Sequence, residues 1–305
     1  MKTGKLKSLR EQTPFLVMNI PVMLYMALFQ FLPMFGLIIA FKDFKYTKGI
    51  LGSDWAGLKY FENFFSMPDI FTVILNSLKY GVLLAFTGMV AAIAVGLLLY
   101  EVISKKALKA YQTAYNLPNF ISWVLVAYIG FTLFSAEHGV INQILTMFGQ
   151  KPINWYTQPQ YWGVILMIFN IWKSVGVDSL FYYAALMGVD ASLLEAAELD
   201  GANYRQRVRY VLIPSILPVI CMLLVLKMGS LMSGGYFGLF YQVPMDSQVL
   251  YSATDIIDTY IYRGLINGSI SQATAVNLFQ SVVSLVLVLS SNLFIKKISP
   301  DNAVF

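Results

Sequence analysis

Glu195-Ala196-Ala197-Glu198-Leu199-Asp200-Gly201-Ala202, followed by Ile213-Pro214 and Pro218, is a polar, charged stretch set inside an otherwise apolar chain. Its local chemistry predicts a helix–turn–helix. Ser192-Leu193-Leu194-Glu195 has the spacing of a capping box, in which a hydroxyl and a carboxylate three residues on satisfy the free amides of a helix start. Gly201 suits the left-handed turn that ends such a helix, and Asn203 suits the cap of a second one. Pro214 then ends the second helix or hands it to the next apolar segment. Leu193, Leu194 and Ala197 give the first helix an apolar face, with Glu195, Glu198 and Asp200 around it. A structured polar insert in a lipid-soluble chain is suited to take force from a soluble partner.

Composition assigns the remainder to a bilayer. The 305 residues are 58% hydrophobic and 12% charged, against roughly 25% charged in soluble domains; mean hydropathy is +0.65. A crossing helix needs about 20 apolar residues. Gln12–Phe41, Tyr80–Tyr100, Ala110–Ala136 and Gly264–Ile295 contain no Asp, Glu, Lys, Arg or His, and two further runs qualify despite internal charges. The expectation is an all-α membrane protein, residues 1–305 forming a single transmembrane domain, with six helices over 14–41, 72–100, 110–136, 161–189, 214–238 and 271–295. The polar loop, 190–212, then joins helices 4 and 5.

Basic residues orient the chain. With the N-terminus inside, the cytosolic side holds twelve: Lys2, Lys5, Lys7, Arg10, Lys105, Lys106, Lys109, Arg205, Arg207, Arg209, Lys296 and Lys297. The outer side holds six: Lys42, Lys45, Lys48, Lys59, Lys151 and Arg263. Both termini and the polar loop are therefore expected in the cytosol. The formal charge of +5 follows from this bias, and no basic, aromatic-interleaved segment suggests nucleic acid. The first apolar run is too long for a signal peptide, lacks a small-x-small cleavage site, and carries Pro21 and Pro33 as interruptions, so it is read as retained. One cysteine, Cys221, and one histidine, His138, supply neither an internal disulfide nor a metal site.

Two lysines lie at bilayer depth, Lys173 in span four and Lys227 in span five. An ammonium there costs about 2.5–3.5 kcal/mol, so each faces protein or water. Two readings are open: a structural pair with a carboxylate of another helix, or a hydrated path where the lysines meet sugar hydroxyls or acidic sugars. Asp178 is a poor partner for Lys173, because five residues apart is off one helix face. Trp172, Tyr182, Tyr183, Tyr236, Phe237 and Tyr241 surround these spans, either as packing residues or as stacking faces for sugar rings. Trp172, Lys173, Tyr182, Lys227, Tyr236 and Tyr241 are thus the candidates for a substrate path. Gly229, Gly234, Gly235 and Gly238 crowd the outer half of span five, for close packing or for unwinding beside a path. Outside the membrane, Ile256, Ile257, Tyr260 and Ile261 form a helical stripe with Asp255, Asp258 and Arg263 mostly off it.

The order of residues around Glu195 resembles the EAA loop of ABC importer permeases. Ile171-Trp172-Lys173-Ser174-Val175-Gly176 upstream, and Asp255–Arg263 and Ala273–Phe279 downstream, are similar to the oligosaccharide/polysaccharide permease branch of the carbohydrate importers. The resemblance implies a bacterial plasma-membrane subunit for ATP-driven uptake of oligosaccharides, working with a second homologous permease, two cytosolic ATPase domains and an extracytoplasmic solute-binding protein. It implies that Ser192–Tyr210 holds a coupling helix, with Ser192, Glu195, Ala196, Ala197, Asp200, Gly201 and Ala202 contacting or shaping the ATPase contact. No cofactor is expected on this chain, since ATP and Mg would bind the partner ATPase; no G-x-x-x-x-G-K-[ST], H-E-x-x-H or G-x-S-x-G occurs, and catalysis by this polypeptide is not expected. The alternatives are an ABC permease for another solute class, a secondary transporter using Lys173 and Lys227, and an intramembrane enzyme on lipid-linked sugars, for which no acid/base pair is present.

Overall fold

A computed structural model describes residues 17–232 and 235–298. Gly234, the basic residues Lys2, Lys5, Lys7 and Arg10, and the first residues of the predicted span 14–41 lie outside them. The chain is overwhelmingly helical and divides into two compact units, Met1–Ser66 with Gly264–Leu278, and Met67–Arg263 with Phe279–Phe305.

The first unit begins with α1, Val17–Phe41. Its prolines do not break it. A π turn at Ala27–Phe31 precedes Pro33 and makes room for the ring, and the helix tightens to 3₁₀ geometry over Phe35–Phe41. A short antiparallel hairpin follows, an addition to the all-α expectation: β1 (Lys42–Asp43) pairs with β2 (Asp54–Trp55), Lys42 opposite Trp55. The buried Lys42 ammonium closes the loop between them by donating to the carbonyls of Ile50 and Leu51, both at 2.9 Å. Helix α2, Lys59–Phe65, completes the segment.

The second unit is organised by α3, Ile70–Tyr100, packed along α7, Pro159–Met187. The buried side of α3 includes Gly81, Ala85, Gly88, Ala92 and Gly96, a recurrence of three and four residues that lays small side chains along one face. Between helices in lipid, apolar transfer gives little drive, and close backbone approach with good packing supplies the attraction instead. The contact is tight: a Cβ at Gly96 would stand 3.1 Å from the Tyr182 Cβ and 3.3 Å from the Ser179 carbonyl oxygen. Outward of this seam, Tyr80, Leu84, Trp162, Leu166, Leu239 and Phe240 form a large apolar cluster.

Among the described residues, four helices are long and apolar enough to cross a membrane, or six if each of two bent pairs is one span. The predicted continuous helix over 110–136 is such a pair. Helix α4, Lys105–Asn116, runs on as 3₁₀ through Leu117–Phe120, then turns by 95° into α5, Trp123–Phe134. Pro118 starts the 3₁₀ turn, and Ser122, extended, caps α5 by accepting the Leu125 amide at 3.3 Å. Helix α6, Val140–Met147, lies between α5 and α7 in sequence. The predicted 214–238 helix is also corrected. Helix α9, Tyr204–Ser215, bends by 62° at Ile216 into α10, Leu217–Gly229, which ends well before residue 238. A π turn at Val208–Leu212 accommodates Pro214, so that proline stops neither half, and Pro218 occupies the first turn of α10, where its missing amide costs no bond. Phe237–Gln242 is a separate helix, α11. Ile257–Ile266 (α12) and Ile270–Ile298 (α13) follow.

Candidate functional site

The polar loop is built around α8, Ala191–Leu199. Its cap is Asp190, two residues earlier than the predicted capping box: the Asp190 carboxylate accepts the Ser192 amide at 2.9 Å, and Ser192 itself is already helical. That bond holds the Asp190 carboxyl below the usual carboxylate range. At the other end Gly201 has φ +75°, the Ala202 amide reaches back to Ala197 O at 2.9 Å, and the Gly201 amide to Glu198 O at 3.0 Å. These two bonds define a Schellman stop, which uses the freedom of glycine in the left-handed region. Asn203 and Gln206 then form a reciprocal capping box at 3.0 and 2.8 Å, starting α9. Every turn of the loop therefore has its own hydrogen-bonded lock.

The predicted face of α8 is split. Leu194 turns inward onto an apolar cluster of Val175, Tyr182, Leu186, Leu212 and Ile216, and Ala197 is half-buried. Leu193 is exposed, and Glu195, Ala196 and Leu199 present outward, Leu199 at 90% exposure. An ion pair between Glu198 and Arg207 bridges the two helices of the loop. Beside it a cavity of about 380 Å³ is lined by Tyr100, Glu101, Leu194, Glu198, Tyr204 and Arg207, among others.

The two lysines have different roles from each other. Lys173 is 8% exposed, and its ammonium donates to the carbonyls of Pro118 at 3.3 Å, Asn119 at 3.0 Å and Ile121, standing 5.1 Å from the Trp123 ring centre. It satisfies the carbonyl end of one half-helix at the 95° elbow, where a cation also complements the helix dipole. Three residues on, Gly176 lets α4 approach: a Cβ there would stand 2.0 Å from the Tyr115 carbonyl oxygen. Lys227 of α10 donates to Asp178 of α7 at 2.8 Å, a cross-helix carboxylate pair. Asp178, weighed in the sequence only against Lys173, is the partner of Lys227 that sequence reasoning missed, 49 positions away.

Of the six path candidates, Tyr182 and Lys227 line one cavity, about 260 Å³, with Asp178, Phe181, Leu223, Leu226 and Ser230. Trp172 packs edge-on against Phe169, 6.4 Å between centres, and Tyr236 packs on the outer apolar cluster. Tyr241 belongs to an aromatic trio with Phe237 and Tyr262, at centre distances of 4.7 to 5.1 Å. Gly238, close-packed, leaves room for the Trp123 indole, which a Cβ would meet at 2.1 Å. Below the trio, Arg263 pairs with Asp255 at 2.5 Å and Asp246 at 3.4 Å, and stacks on Tyr251 at 4.3 Å. Of the predicted outer stripe, Ile256 and Ile257 are buried and Tyr260 and Ile261 half-buried.

Two short polar helices with locked turns, set between long apolar helices, define a membrane protein with a structured polar insert. Comparison with known proteins gives the class of that membrane protein, a transport permease. The family model described as "Binding-protein-dependent transport system inner membrane component" matches residues 86–302. The chain is 34% identical to Protein LplB of Bacillus subtilis over 283 residues, 92% of this chain and 88% of that one. It is also 34% identical to the polygalacturonan/rhamnogalacturonan transport system permease protein YteP of the same organism over 292 residues, 95% and 90% of the two chains. Its fold matches a chain of a crystallised bacterial ABC transporter involved in the import of the acidic polysaccharide alginate, with TM-score 0.86, 33% identity, and 96% and 99% of the two chains covered. The chain belongs to the binding-protein-dependent transport system inner membrane component family and is a multi-pass protein of the bacterial plasma membrane. Its fold also matches, with TM-score 0.86, 33% identity, and 96% and 97% of the two chains covered, a chain of a bacterial alginate ABC transporter crystallised in complex with an alginate pentasaccharide-bound periplasmic protein.

Proposed function

We propose that this chain is one of two transmembrane subunits of an ABC importer for oligosaccharides, driven by ATP and Mg bound in partner ATPase domains and loaded by an extracytoplasmic solute-binding protein. The observation that carries the reading is the outward face of α8. Glu195, Ala196 and Leu199 are free on it, while the Asp190 cap, the Schellman stop and the Leu194 anchor hold the helix rigid. A helix so anchored transmits a push from a protein seated on its outer side into α7 and α9, the elements that flank it in sequence. Glu195 is the polar group for that contact, and Gly201 sets the turn behind it. The names of YteP and of the alginate transporter support a saccharide as cargo.

In this reading both termini and the loop are cytosolic, following the bias of Lys and Arg, and the two bent pairs count as spans three and five. Closure of the ATPases rocks α8 as a rigid body and alternates access across the two subunits. A secondary transporter would need a lysine free to exchange its proton or partner. Here Lys173 is held by three carbonyls and Lys227 by Asp178.

The test is saccharide uptake by cells carrying Glu195→Ala or Gly201→Asp, together with co-purification of the ATPase. Loss of uptake and of bound ATPase, with normal membrane insertion, is expected. Wild-type uptake and normal ATPase retention in both variants overturn the coupling role.

A further inference from the structure

The two helices that lead into and out of the polar loop are joined a second time, deep in the membrane-spanning part. Asp178 precedes the end of α7 by nine residues, and Lys227 follows the start of α10 by ten. At 1.5 Å per residue these arms are about 14 and 15 Å long. The bond between the two charges, 2.8 Å, closes a ring of chain that holds the whole of α8 and α9. Tyr182, Leu186, Leu212 and Ile216 of this ring are buried in one apolar cluster with Val175, and Leu194 of α8 packs onto it.

We infer that Asp178 and Lys227 are positioning residues of the transport step: a clasp that makes α7, the polar loop and the lower part of α10 one rigid frame. This rests on the coupling role proposed for α8. The 62° bend at Ile216 gives the reason a clasp is needed. A push on α8 reaches α7 directly, but it reaches α10 only around a bend, where Ile216 leaves helical geometry (φ −95°, ψ 4°). Without a second attachment α10 would lag behind. The pair is suited to the task because it sits at bilayer depth with both side chains largely covered, at 28% and 20% exposure. Parting the helices would strand an ammonium and a carboxylate where water is scarce, so the link is stiff toward separation. The pair is also neutral as a unit, so it fastens the frame without leaving a net charge beside the adjoining cavity.

The experiment uses the complete complex with its partner permease and ATPase, in a Cys221→Ser background. Spin labels are placed at Met187→Cys at the end of α7 and Leu226→Cys on α10, both exposed and off the outward face of α8. Their separation is read with and without vanadate-trapped ADP. The clasped protein is expected to give one narrow distance that is the same in both states. Asp178→Asn and Lys227→Met are each expected to lose that single distance and uncouple ATP hydrolysis from movement. The exchange Asp178→Lys with Lys227→Asp, and the conservative Lys227→Arg, are expected to recover it. A clasped distance that itself changes on trapping overturns the proposal, as does an unchanged narrow distance in both single variants. An exchange that stays as loose as the single variants also overturns it. Failure of the coupling reading is seen separately, as a complex in which Glu195→Ala retains its ATPase and its activity.

Discussion

Replacing Lys173 by Met tests whether the elbow between α4 and α5 is held by charge. The side chains have similar length and the thioether is at home among apolar neighbours, so packing changes little. What changes is the environment of three carbonyls, on Pro118, Asn119 and Ile121, each of which loses an ammonium donor. Hydrogen bonds to a charged group contribute about 1.5–3 kcal/mol each, and removing the ammonium from bilayer depth returns about 2.5–3.5 kcal/mol. With about 2 kcal/mol for each of the three bonds, the net loss is about 3 kcal/mol. That is about two decades in the folded-to-unfolded ratio, and for a chain of this size a fall of about 6 °C in Tm. The measurement is thermal unfolding by tryptophan fluorescence in lipid nanodiscs, with Lys173→Arg alongside. Arginine keeps the charge and its donors, so it should recover most of the loss. A Met variant that melts with the native protein, or an Arg variant as unstable as Met, would refute the account of Lys173 as the staple of the elbow.

Gly176→Ala should destabilise at least as strongly, because its Cβ would meet backbone, 2.0 Å from Tyr115 O and 2.4 Å from its carbonyl carbon. Gly88→Ala, whose Cβ meets only the Asn170 amide at 3.7 Å, should melt nearly as the native chain does. Asn203→Ala removes one half of the capping box and should cost about 1 kcal/mol locally, read as faster hydrogen exchange at the Gln206 amide with little change in Tm. In the outer segment, burial and then the hydrogen bond to Asp246 push the Tyr251 hydroxyl up to about 12 from an ordinary 10.0. The folded state thus holds this proton more tightly than the unfolded one. The stabilisation is complete below pH 10, where both states are protonated, and is lost as pH rises through about 12. In a tyrosinate titration of the folded protein, Tyr251→Phe should reduce the late-titrating amplitude by one phenol; an unchanged late amplitude would refute the assignment.

The parts of this molecule that were legible in its sequence are those fixed by neighbours in the chain. Gly201 and Asn203 announce a stop and a start because the bonds they serve span three to five residues. Even there the cap was displaced to Asp190, since a carboxylate just before Ala191 reaches the Ser192 amide first. The elbow left a trace that hydropathy alone overrides: a charge-free run from Ala110 to Ala136 reads as one span, although Pro118 and Ser122 inside it are a helix break and a helix cap. The bonds of Lys173 and Lys227 left no such trace. Their partners are more than 45 residues away, and one set consists of backbone carbonyls, which every residue carries. The motif around Trp172 nonetheless contains the elbow's requirements, Lys173 for the carbonyls and Gly176 for the approach of Tyr115. Its spacing of three residues puts charge and gap on one helix face. A lysine followed three positions later by glycine, at bilayer depth and with a proline-broken span nearby, is thus a signature of a stapled half-helix. A substrate contact would require neither the glycine nor the broken span.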